Sequence, residues 1–547
     1  MKALKNILLV AVNARFTHSC LALYCLKSFL AGSGHRITIR EFHINQDPDE
    51  ILQGIAGADA EIIGFSSYIW NARLLRRLLP AVKSATGAVI VVGGPEAGYE
   101  PDPWLRAGAD FVVRGHGESA FRALLEAGIS LPERVICLPN PPFADMPIPY
   151  DDDDLAALQG HYLYYESSRG CPFRCAYCLS SREDQRLEMK DPATVEKELE
   201  VLLAARPRLL KFVDRTFNAD PARGREIWRW LISSHSDGET SFHFEVHPLF
   251  LCDEDFRVLE KCPAGLFQFE IGVQTINPQT RAEIHRGGTW ERERETIRRI
   301  IAQGNIRVHL DLIAGLPGEH MASMEAAINE CYQLRPGHFQ IGFLKVLPGT
   351  QMRERAEDYG IAFDANPPYR VIATPTLNER ELHLLDAIAH LVDRLYNRHR
   401  FETALALLES RVTHPFALFR AMASHAERAG LPTRDWNDGA SFMLSFVDTE
   451  MPEAKRSLLD ALRWDWCSSG MGHRWPEAVK PRGIEEMRRK ALEQIEGMDV
   501  SSRRDLKRAI VFVPETDEFR TARMSGADCA VFFPDKRMVP IWMNRNE

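Results

Sequence analysis

Three cysteines in the string SRGCPFRCAYC carry the clearest chemical signal in this sequence of 547 residues. Cys171, Cys175 and Cys178 follow a predicted strand with the spacing C-x3-C-x2-C. Three thiolates on one tight loop can hold three irons of a cubane and leave the fourth iron open to a small molecule. Structural zinc is the alternative, but it needs four ligands, and no neighbouring Cys-x2-Cys or His pair completes the set. The spacing therefore favours a [4Fe–4S] cluster over zinc or buried free thiols.

The same string resembles the signature of the radical S-adenosylmethionine (SAM) superfamily, C-x3-C-x-aromatic-C, with Tyr177 as the aromatic residue. The resemblance implies that the open iron binds SAM through its amino and carboxylate groups. It also implies that an electron, delivered by a donor such as flavodoxin or ferredoxin, cleaves SAM to methionine and a 5′-deoxyadenosyl radical. Tyr177 is accordingly expected beside the cofactor.

Four further strings extend this resemblance from about Tyr162 to Thr350. FEVHP, FEIGVQTINPQTRAEIHRG, DLIAGLPGE and LKVLPGT look like successive strand ends of the branch that contains oxygen-independent coproporphyrinogen oxidase. An arginine suits the SAM carboxylate, and acidic and amide groups suit ribose hydroxyls and an ammonium group. Asp214, in KFVDRTFNAD, ends the second strand, where a local turn network is the alternative role. On this resemblance the SAM contacts are Glu245, Gln274, Arg286 and Asp311, with Asp214, Arg215 and Asn218 as further candidates.

The elements that must position these residues begin at His161, where apolar strands alternate with amphipathic helices. Six strand–helix units are enough for an open, partial (β/α)6 barrel, whose site lies at the C-terminal ends of its strands. We place this barrel at residues 159–368. The candidate strands are Tyr162–Ser167, Leu209–Val213, Ser241–Val246, Phe267–Gln274, Arg307–Ile313 and Phe339–Val346.

Residues 1–130 also alternate apolar strands with amphipathic helices, which predicts a parallel, doubly wound α/β sheet of the flavodoxin-like or Rossmann-like kind. Glycines directly after its fourth and fifth strands, in VVGGPEAGYEP and VVRGHGE, permit a flat ligand to lie close to the backbone. With IGFSSYIWN after the third strand, the pattern resembles the cobalamin-binding (B12) domains fused ahead of radical SAM barrels. A plain docking domain, or a domain for another ligand, is the alternative. The resemblance implies cobalamin contacts from Ser66, Ser67, Trp70, Gly93, Gly94, Gly115 and Gly117.

Two missing strings refine that expectation. No G-x-G-x-x-G follows the first strand, which disfavours a dinucleotide ligand. The Asp-x-His-x-x-Gly loop that supplies a lower cobalt ligand in many cobalamin proteins is also missing, so we expect no histidine beneath the cobalt. His18, near the first strand tip, is interpreted as a capping or hydrogen-bonding histidine. Trp70 is expected under the metal, with a packed core aromatic as the alternative.

The remaining chain divides into a proline-rich linker at residues 131–158, which contains four successive aspartates, and a mainly helical C-terminal domain at residues 369–547. The latter resembles an uncharacterised extension found on one subgroup of cobalamin–radical SAM proteins. We expect no signal peptide and no membrane span, because no apolar stretch is long enough. Eleven cysteines without a secretion signal then indicate a reducing cytoplasm. A net charge of −9 argues against a nucleic-acid partner.

The resemblances together imply an enzyme similar to the class B radical SAM methylases, which move a methyl group from methylcobalamin to an unactivated carbon of a small-molecule or peptide substrate. An inert C–H bond offers no nucleophile, so a radical must be made before a methyl group can be delivered. Ring formation or rearrangement by the same cofactors is the nearest alternative. A methylthiotransferase would need a second cluster on three N-terminal cysteines, but only Cys20 and Cys25 lie there, with Cys137 in the linker. A non-enzymatic cobalamin sensor or carrier would leave the cysteine triplet without a role.

Overall fold

The strands and helices of the chain fall into two compact units. One unit comprises residues 1–324 together with 343–379, and the other comprises 325–342 together with 380–547. The first unit therefore contains every residue that the sequence predicts to contact a cofactor. The structure, a computed structural model, describes residues 5–129, 131–181, 186–235, 238–470, 474–496, 508–533 and 538–541.

The N-terminal region forms a parallel sheet whose strands are β1 (Asn6–Asn13), β2 (Arg36–His43), β3 (Ile62–Ser66), β4 (Val89–Gly93), β5 (Phe111–Val113) and β6 (Val135–Ile136). Their spatial order is β2-β1-β3-β4-β5-β6, and neighbouring strands pair in parallel. β1 reads NILLVAVN and is buried at seven of its eight positions, as expected for a strand covered on both faces. The strand order reverses between β1 and β3, and open α/β sheets bind ligands beyond the carboxyl ends of their strands at such a point. The predicted doubly wound sheet is confirmed.

The helices that cover this sheet follow the predicted amphipathic stretches. They are α1 (Leu21–Phe29), α2 (Pro48–Ala56), α3 (Ala72–Thr86), α4 (Pro95–Tyr99), α5 (Asp102–Arg106) and α6 (Gly117–Glu126). The amide of Asn71, just before α3, donates to the carbonyl oxygens of Val12 and Ser66 at 3.1 and 3.0 Å. Because these carbonyls end β1 and β3, one buried side chain ties together the two strand tips at the switch point.

The segment that the sequence predicts as a linker is partly ordered into regular structure. Its β6 pairs in parallel with β5 and extends the N-terminal sheet. The aspartate run begins helix α7 (Asp152–Ala157), where Asp151 and Asp154 form a capping box. Carboxylates are favoured at a helix N-terminus, because they accept hydrogen bonds from its free backbone amides and lie at the positive end of the helix dipole. Lys27 of α1 then holds Asp154 at 2.6 Å, which fastens this segment to the N-terminal domain.

The second sheet supplies the predicted partial barrel. Its strands run in the order β14-β13-β12-β11-β10-β7, and the short β8 and β9 pair separately as an antiparallel hairpin. The alternation of strands and helices confirms the predicted fold class for this region. The strands are β7 (Leu163–Tyr165), β8 (Ser168–Arg169), β9 (Glu188–Met189), β10 (Leu209–Phe212), β11 (Ser241–Glu245), β12 (Phe267–Gln274), β13 (Arg307–Ala314) and β14 (His338–Phe343).

The two faces of the barrel sheet differ in chemistry. Phe212, Phe244 and Phe269 lie in one row across β10, β11 and β12, and Trp228 packs against Phe244 and Phe269 with ring centroids 6.2 and 5.3 Å apart. Because side chains alternate along a strand, the neighbouring residues point to the opposite face. That face, called here the barrel polar face, carries Lys211, His243, Glu270, His309 and Asp311.

The barrel helices alternate with these strands in the chain. Trp228 belongs to one of them, so the aromatic row packs on the helical layer and leaves the opposite face of the sheet free for polar groups. These helices are α8 (Pro192–Ala204), α9 (Pro221–Ser234), α10 (Asp253–Leu259), α11 (Pro278–Glu283), α12 (Trp290–Gln303), α13 (Met321–Gln333) and α14 (Gln351–Glu354).

The C-terminal region is mainly helical, as predicted. A two-stranded hairpin of β15 (Ala362–Phe363) and β16 (Val371–Ala373) precedes it. The β-like runs of the tail form an antiparallel sheet of β17 (Ile510–Phe512), β18 (Cys529–Phe532) and β19 (Met538–Ile541). The helices are α15 (Glu379–Leu391), α16 (Glu402–Glu409), α17 (Pro415–Ala429), α18 (Trp436–Glu450), α19 (Lys455–Ser469), α20 (Glu485–Glu496) and α21 (Asp517–Met524).

A buried ion pair fixes the loop between α11 and α12, which carries Arg286. Arg281 contacts both carboxylate oxygens of Glu293, at 2.6 and 3.0 Å, and donates to the carbonyl oxygens of Thr275 and Gly287. Both partners are almost fully buried. The backbone amide of Arg286 donates to the carbonyl of Arg281 at 2.8 Å, so the ion pair sets the position of Arg286 as well.

We predict that Arg281→Met lowers the free energy of unfolding by about 3–5 kcal/mol, because it leaves the Glu293 carboxylate buried without its partner. The double variant Arg281→Met/Glu293→Leu should recover most of this loss. Denaturant unfolding followed by circular dichroism measures the effect. Arg298→Met is the control, since its partner Glu295 is exposed and its removal should change stability little. Equal losses for Arg281→Met and Arg298→Met would contradict the role given to the buried pair.

Candidate active site

The loop that carries the three predicted cluster ligands follows β8 through a turn that only glycine fits. Gly170 has φ +90°, and a Cβ there would lie 2.3 Å from the carbonyl oxygen of Arg186. Cys171 and Cys175 are buried and Cys178 is half-buried, and none of the three forms a disulfide. The amide of Cys178 donates to the carbonyl of Cys175 at 3.0 Å, which closes the tight turn. The backbone thus presents three thiols from one short segment.

The spacing of the three sulfurs bears on the choice of metal. Among the residues that the structure describes, Cys171, Cys175 and Cys178 do not form a set of ligand atoms that all lie within 4.8 Å of one another. A tetrahedral zinc, with bonds of about 2.3 Å to sulfur, needs its ligands closer together than that. A cubane cluster spreads its cysteine ligands over separate irons. The geometry therefore fits a cluster better than a single zinc ion.

Aromatic rings cover the cysteine loop on one side. Phe173 stacks on His247 with ring centroids 4.4 Å apart and on Phe250 at 5.5 Å. Burial, with Arg286 and Arg281 nearby, lowers the pKa of His247 to about 3, so its ring is neutral. The side chain of Asn218 pairs with both backbone polar groups of His247, at 2.9 and 3.0 Å. These contacts hold an apolar wall against the loop and reduce the access of water to the cysteines.

Arg286 lies directly beside the cysteine loop. The amide of Ala176 donates to the carbonyl of Ile284 at 3.0 Å, which joins the two loops. One guanidinium Nη2 of Arg286 donates to the carbonyl of Gly272, whereas its Nε is buried without a hydrogen-bond partner. A buried donor without a partner costs free energy unless a ligand accepts from it. Arg286 therefore offers a donor for an anionic ligand at the cysteine loop.

Glu245, Gln274 and Asp311 stand at the ends of three adjacent strands. Gly272 pairs with Asp311 across β12 and β13, and the register shifts between Gly272 and Gln274. Gln274 has φ +69°, a conformation that is uncommon for a residue with a side chain and that is enriched at ligand sites. Burial raises the pKa of Glu245 to about 7, although Arg215 acts in the opposite direction. The structure thus brings these three predicted residues to one edge of the sheet.

Asp214 has a structural role that differs from the predicted cofactor contact. Its carboxylate is fully buried and accepts from the amide of Ser167 at 3.0 Å and from the hydroxyls of Ser167 and Ser168 at 2.6 Å each. The three donors occupy three of the about four lone-pair sites of the carboxylate. Asp214 instead fixes the segment between β7 and the cysteine loop, which is the local network named as the alternative.

Arg215, the next residue in the chain, interacts with ionisable side chains from three regions of the protein. Its guanidinium is 3.8 Å from Glu245 Oε1. Burial lowers the pKa of Arg215, but Glu245, Cys178, Glu166 and Tyr68 outweigh this effect and raise it. In the sequence, Arg215 was indicated only by its place in the strand-end string KFVDRTFNAD, which also contains Asp214. Arg215 marks the point at which the cysteine loop, a strand-end carboxylate and the N-terminal domain meet.

The predicted cobalamin residues after β3 divide into an exposed and a buried group. Trp70 is 44% exposed and stacks on Tyr68, with ring centroids 4.5 Å apart and an interplanar angle of 4°. Its Nε1 donates to the carbonyl of Val12 at 3.2 Å, which fixes the plane of the indole. Ser66 and Ser67 are buried, and the Ser67 hydroxyl donates to the carbonyl of Gly93 at 2.7 Å. The serines therefore build the loop, and Trp70 presents an open aromatic face.

The predicted glycines after β4 and β5 also serve two purposes. Gly94 has φ +96°, and a Cβ there would lie 2.4 Å from the carbonyl oxygen of Ser67, so the β3 and β4 loops can approach only at glycine. Gly93 precedes it in ordinary contact with Val113. Gly115 has φ +78° with nothing within 4 Å of its Cβ position, and Gly117 begins α6. Open space over Gly115 leaves room for a ligand at this edge.

His18 joins the N-terminal domain to the barrel. Its Nδ1 makes a short contact with the hydroxyl of Tyr164 on β7. The amide of Tyr162 donates to the carbonyl of Thr17 at 2.8 Å, and the hydroxyl of Ser19 donates to the carbonyl of Tyr162 at 3.1 Å. His18 is thus a hydrogen-bonding histidine, as predicted from the sequence.

Four residues of the barrel polar face form a contact network that the sequence did not reveal. His243, Glu270, His309 and Asp311 come from three adjacent strands and contact one another. Only Asp311 was predicted as a site residue. The strings FHFE, FQFE and VHLD contain the missed signal, because they alternate apolar and polar residues in strands that a barrel core would make apolar throughout.

Three family models match the chain in succession. A B12 binding domain model matches residues 7–125, and a Radical SAM superfamily model matches residues 165–331. A model described as a protein of unknown function (DUF4080) matches residues 357–520.

Curated relatives resemble more than half of the chain. A 2-(S-pantetheinyl)-carbapenam-3-carboxylate methyltransferase of Streptantibioticus cattleyicolor is 25% identical over 385 residues, which are 63% of this chain and 56% of the relative. The cobalamin-dependent radical SAM methyltransferase TokK of Streptomyces tokunonensis is 24% identical over 360 residues, which are 57% of this chain and 51% of TokK. This chain thus spans about half the length of these relatives.

Solved structures share the fold. TsrM, a radical SAM methyltransferase from Kitasatospora setae, matches with a TM-score of 0.57 at 18% identity, over 67% of this chain and 80% of TsrM. OxsB, a cobalamin-dependent SAM radical enzyme, matches with a TM-score of 0.56 at 17% identity, over 92% of this chain and 82% of OxsB. The chain carries a B12-binding domain and a Radical SAM domain and is homologous to the cobalamin-dependent radical SAM methyltransferases.

Proposed function

We propose that this protein is a cobalamin-dependent radical SAM enzyme that transfers a methyl group to an unactivated carbon. The observation that carries the proposal is the position of Arg215, which lies 3.8 Å from Glu245 and within electrostatic reach of Cys178 and Tyr68. One guanidinium thus neighbours the cysteine loop, a strand-end carboxylate and the N-terminal domain. A reaction that uses a cluster, SAM and cobalamin together needs these three regions in one place.

We assign the cluster to Cys171, Cys175 and Cys178. Their sulfurs come from one loop and are too widely spaced for a single zinc ion. When bound, the reduced cluster would cleave SAM to a 5′-deoxyadenosyl radical, and cobalamin would supply the methyl group. The protein has to hold these groups, keep water away and leave the substrate carbon within reach of both.

We assign the carboxylate of SAM to Arg286, whose buried Nε has no partner within the protein. Tyr177 lies next to Arg286 and Cys175 and forms a wall of the same site. Glu245, Gln274 and Asp311 provide acceptors and an amide for the ribose hydroxyls and the ammonium group. Asp214 is left out of the ligand set, because its carboxylate is fully buried and already accepts three hydrogen bonds from Ser167 and Ser168.

We assign cobalamin to the carboxyl edge of the N-terminal sheet. The open face of Trp70 would lie beneath the cobalt, and the space over Gly115 admits the ring edge. Gly93 and Gly94, with the buried Ser66 and Ser67, form the loops that the nucleotide tail would pass, next to Gly117 at the start of α6. No described histidine is proposed as a ligand to the metal, since His18 already contacts Tyr164. Trp70 would hold the corrin ring without supplying a ligand to the cobalt, and cobalamin bound there would supply the methyl group.

The domain organisation that we propose follows the assignment of the sites. A cobalamin-binding domain occupies residues 1–130, a connecting segment 131–158, a radical SAM barrel 159–368 and a mainly helical domain 369–547. Family models that cover 7–125 and 165–331 support the first and third of these.

The proposed substrate is a small molecule or a peptide, and the proposed electron donor is flavodoxin or ferredoxin. A net charge of −9 disfavours nucleic acid. Among the described residues, no helix is both long and apolar enough to cross a bilayer. We place the enzyme in the cytoplasm, where eleven cysteines stay reduced.

The methylthiotransferase alternative is disfavoured by the N-terminal cysteines. Cys20 is buried and donates to the Ser66 hydroxyl, and Cys137 is exposed. They offer no second triplet for a second cluster. Ring formation or rearrangement would use the same three cofactors and differs only in the product.

The first test concerns the cluster ligands. Cys171→Ala, Cys175→Ala and Cys178→Ala should each leave a folded protein that forms no 5′-deoxyadenosine with SAM and a strong reductant, because each removes one iron ligand. The product is measured by liquid chromatography and mass spectrometry. Cys262→Ala is the control, since this free cysteine is buried elsewhere in the barrel and its loss should leave turnover unchanged. Wild-type turnover in any one of the three variants would refute the assignment.

The second test concerns SAM. Arg286→Ala should weaken SAM binding by about 30- to 1000-fold, which is the loss of a buried charge-assisted contact of about 2–4 kcal/mol, while the cluster remains. Calorimetric titration gives the affinity, and iron content reports the cluster. Arg298→Ala, on the exposed side of α12, is the matched control. A change of less than threefold for Arg286→Ala would show that the strand-end alignment is wrong.

The third test concerns the cobalt. Paramagnetic resonance of the bound cob(II) form should show no nitrogen superhyperfine splitting from a lower histidine. Trp70→Ala should weaken cobalamin binding, because it removes the aromatic surface under the ring. Phe16→Ala, at another exposed aromatic of the same domain, is the control. A histidine nitrogen pattern would exclude the proposed lower face, and failure to bind any cobalamin would remove the N-terminal assignment.

A further inference from the structure

The barrel polar face has an unusual composition for the strands of a barrel. The interior of such barrels is normally filled with branched apolar side chains. Here Lys211, His243, Glu270, His309 and Asp311 occupy the face opposite to the aromatic row, and His243 and Asp311 are buried. Burying polar groups costs free energy unless they interact favourably. These residues therefore need a role that outweighs that cost.

The contacts within the face form a continuous line across three strands. His243 Nε2 on β11 lies 2.9 Å from Glu270 Oε2 on β12. His309 Nδ1 on β13 lies 3.8 Å from the same oxygen, and His309 Nε2 lies 3.1 Å from Asp311 Oδ1. The line ends at Asp311, one of the strand-end residues that the proposed function assigns to SAM.

A metal ion is one possible occupant of this cluster, because ligand atoms of Glu270, His309 and Asp311 all lie within 4.8 Å of one another. The orientation of His309 argues against it. The ring turns one nitrogen towards Glu270 and the other towards Asp311. A metal binds one imidazole nitrogen and gathers its other ligands on that side. The ring lies between two carboxylates, an environment that favours its protonated form.

We propose that His309 is a positioning residue whose cationic ring, held by Glu270, keeps Asp311 ionised and oriented towards the hydroxyl or ammonium donors of SAM. The inference rests on the proposed function, since it takes SAM as the ligand of Asp311. It extends that function to His309, Glu270 and His243, which do not touch SAM themselves. His243 acts indirectly, because it fixes the carboxylate of Glu270.

The electrostatics of the line agree with this arrangement. Burial lowers the pKa of His309, but Asp311 and Glu270 outweigh it and raise the pKa above its usual value. The pKa of Asp311 is raised by burial and, to a smaller extent, by Glu270, and His309 opposes that rise. Burial also raises the pKa of Glu270, yet His243 and His309 bring it down to about 2. The cation on His309 is thus present below its raised pKa and is what keeps Asp311 an acceptor.

Other charged groups face the pair from β10, β11 and β12. Lys211 of β10 lowers the pKa of His309. On β11, His243 lowers the pKa of Asp311, and Glu245 and Asp311 repel each other. Glu270 of β12 raises the pKa of both His309 and Asp311. A neutral residue at position 309 therefore leaves Asp311 among carboxylates and raises its pKa further.

The test is the pH dependence of SAM binding by the full-length protein with its cluster reconstituted. In His309→Gln, Asp311 should bind a proton at a higher pH than in the wild type. Relative to the wild type at the same pH, the affinity of His309→Gln for SAM should be about tenfold weaker at pH 6.5. At pH 9 the ratio of the two affinities should stay within about threefold. His309→Asn is a second neutral substitution with the same expected profile. Iron content and a thermal melt verify that each variant is folded.

Three further variants isolate the cause. In His309→Gln/Asp311→Asn the ratio should no longer vary with pH, because the titrating carboxyl group is gone. His309→Lys keeps a cation and should stay within about threefold of the wild type at every pH. Lys211→Gln is the matched control, since it removes another cation of the same face that does not contact Asp311. Its ratio should also be flat.

A loss of affinity in His309→Gln that does not change with pH would overturn the inference, because a purely structural role predicts that result. A pH dependence that persists in the double variant would overturn it as well. So would stoichiometric zinc or manganese in the wild type that His309→Gln removes while the iron remains. If the wild type does not bind SAM at all, the proposed function fails and this inference fails with it. If the wild type binds SAM but the variants give one of the contradictory results above, only this inference fails.

Discussion

Parallel strand pairing is the constraint on which the site depends. Because both sheets are parallel, the carboxyl ends of their strands meet at one edge, and residues far apart in the chain become neighbours there. Glu245 and Asp311 are brought together in this way, as are Trp70 and Gly115 in the N-terminal sheet. Crossover helices cover the sheets and leave these edges as the places where a large cofactor can lie against the backbone. The chemistry of the chain is therefore concentrated in its loops, and its core is mostly apolar support.

The charged residues of those loops determine which ligands the loops favour. Arg215 faces Glu245 and the thiol of Cys178, and Arg286 lies beside Cys175. Arg286 is partly buried, so its attraction to a neighbouring anion is stronger than it would be in water, whereas Arg215 is exposed and its attraction is weaker. The buried Arg281–Glu293 pair serves a different purpose, because it holds the loop that delivers Arg286. Positive groups next to the cysteines favour an anionic cluster and an anionic ligand at the same place.

The strands and the cysteine loop were predictable because their signals are local. Apolar runs with glycine at their ends identify buried parallel strands, and the spacing of the cysteines is visible in eleven residues. The role of Asp214 was not predictable, since a strand-end aspartate that accepts three internal hydrogen bonds looks the same in sequence as one that binds a ligand. His309 and Glu270 were missed for a related reason. Their partners lie on other strands, and the register that joins them exists only in the folded sheet.

The metal content of a single wild-type preparation tests the central claim most directly. After anaerobic reconstitution with iron, sulfide and hydroxocobalamin and removal of unbound metal, mass spectrometry should find about four irons and one cobalt per chain. That result is what one cluster on Cys171, Cys175 and Cys178 and one cobalamin on the N-terminal sheet require. About eight irons without cobalt would indicate two clusters and a methylthiotransferase. Cobalt without iron would indicate a cobalamin carrier, and either result would contradict a cobalamin-dependent radical SAM enzyme.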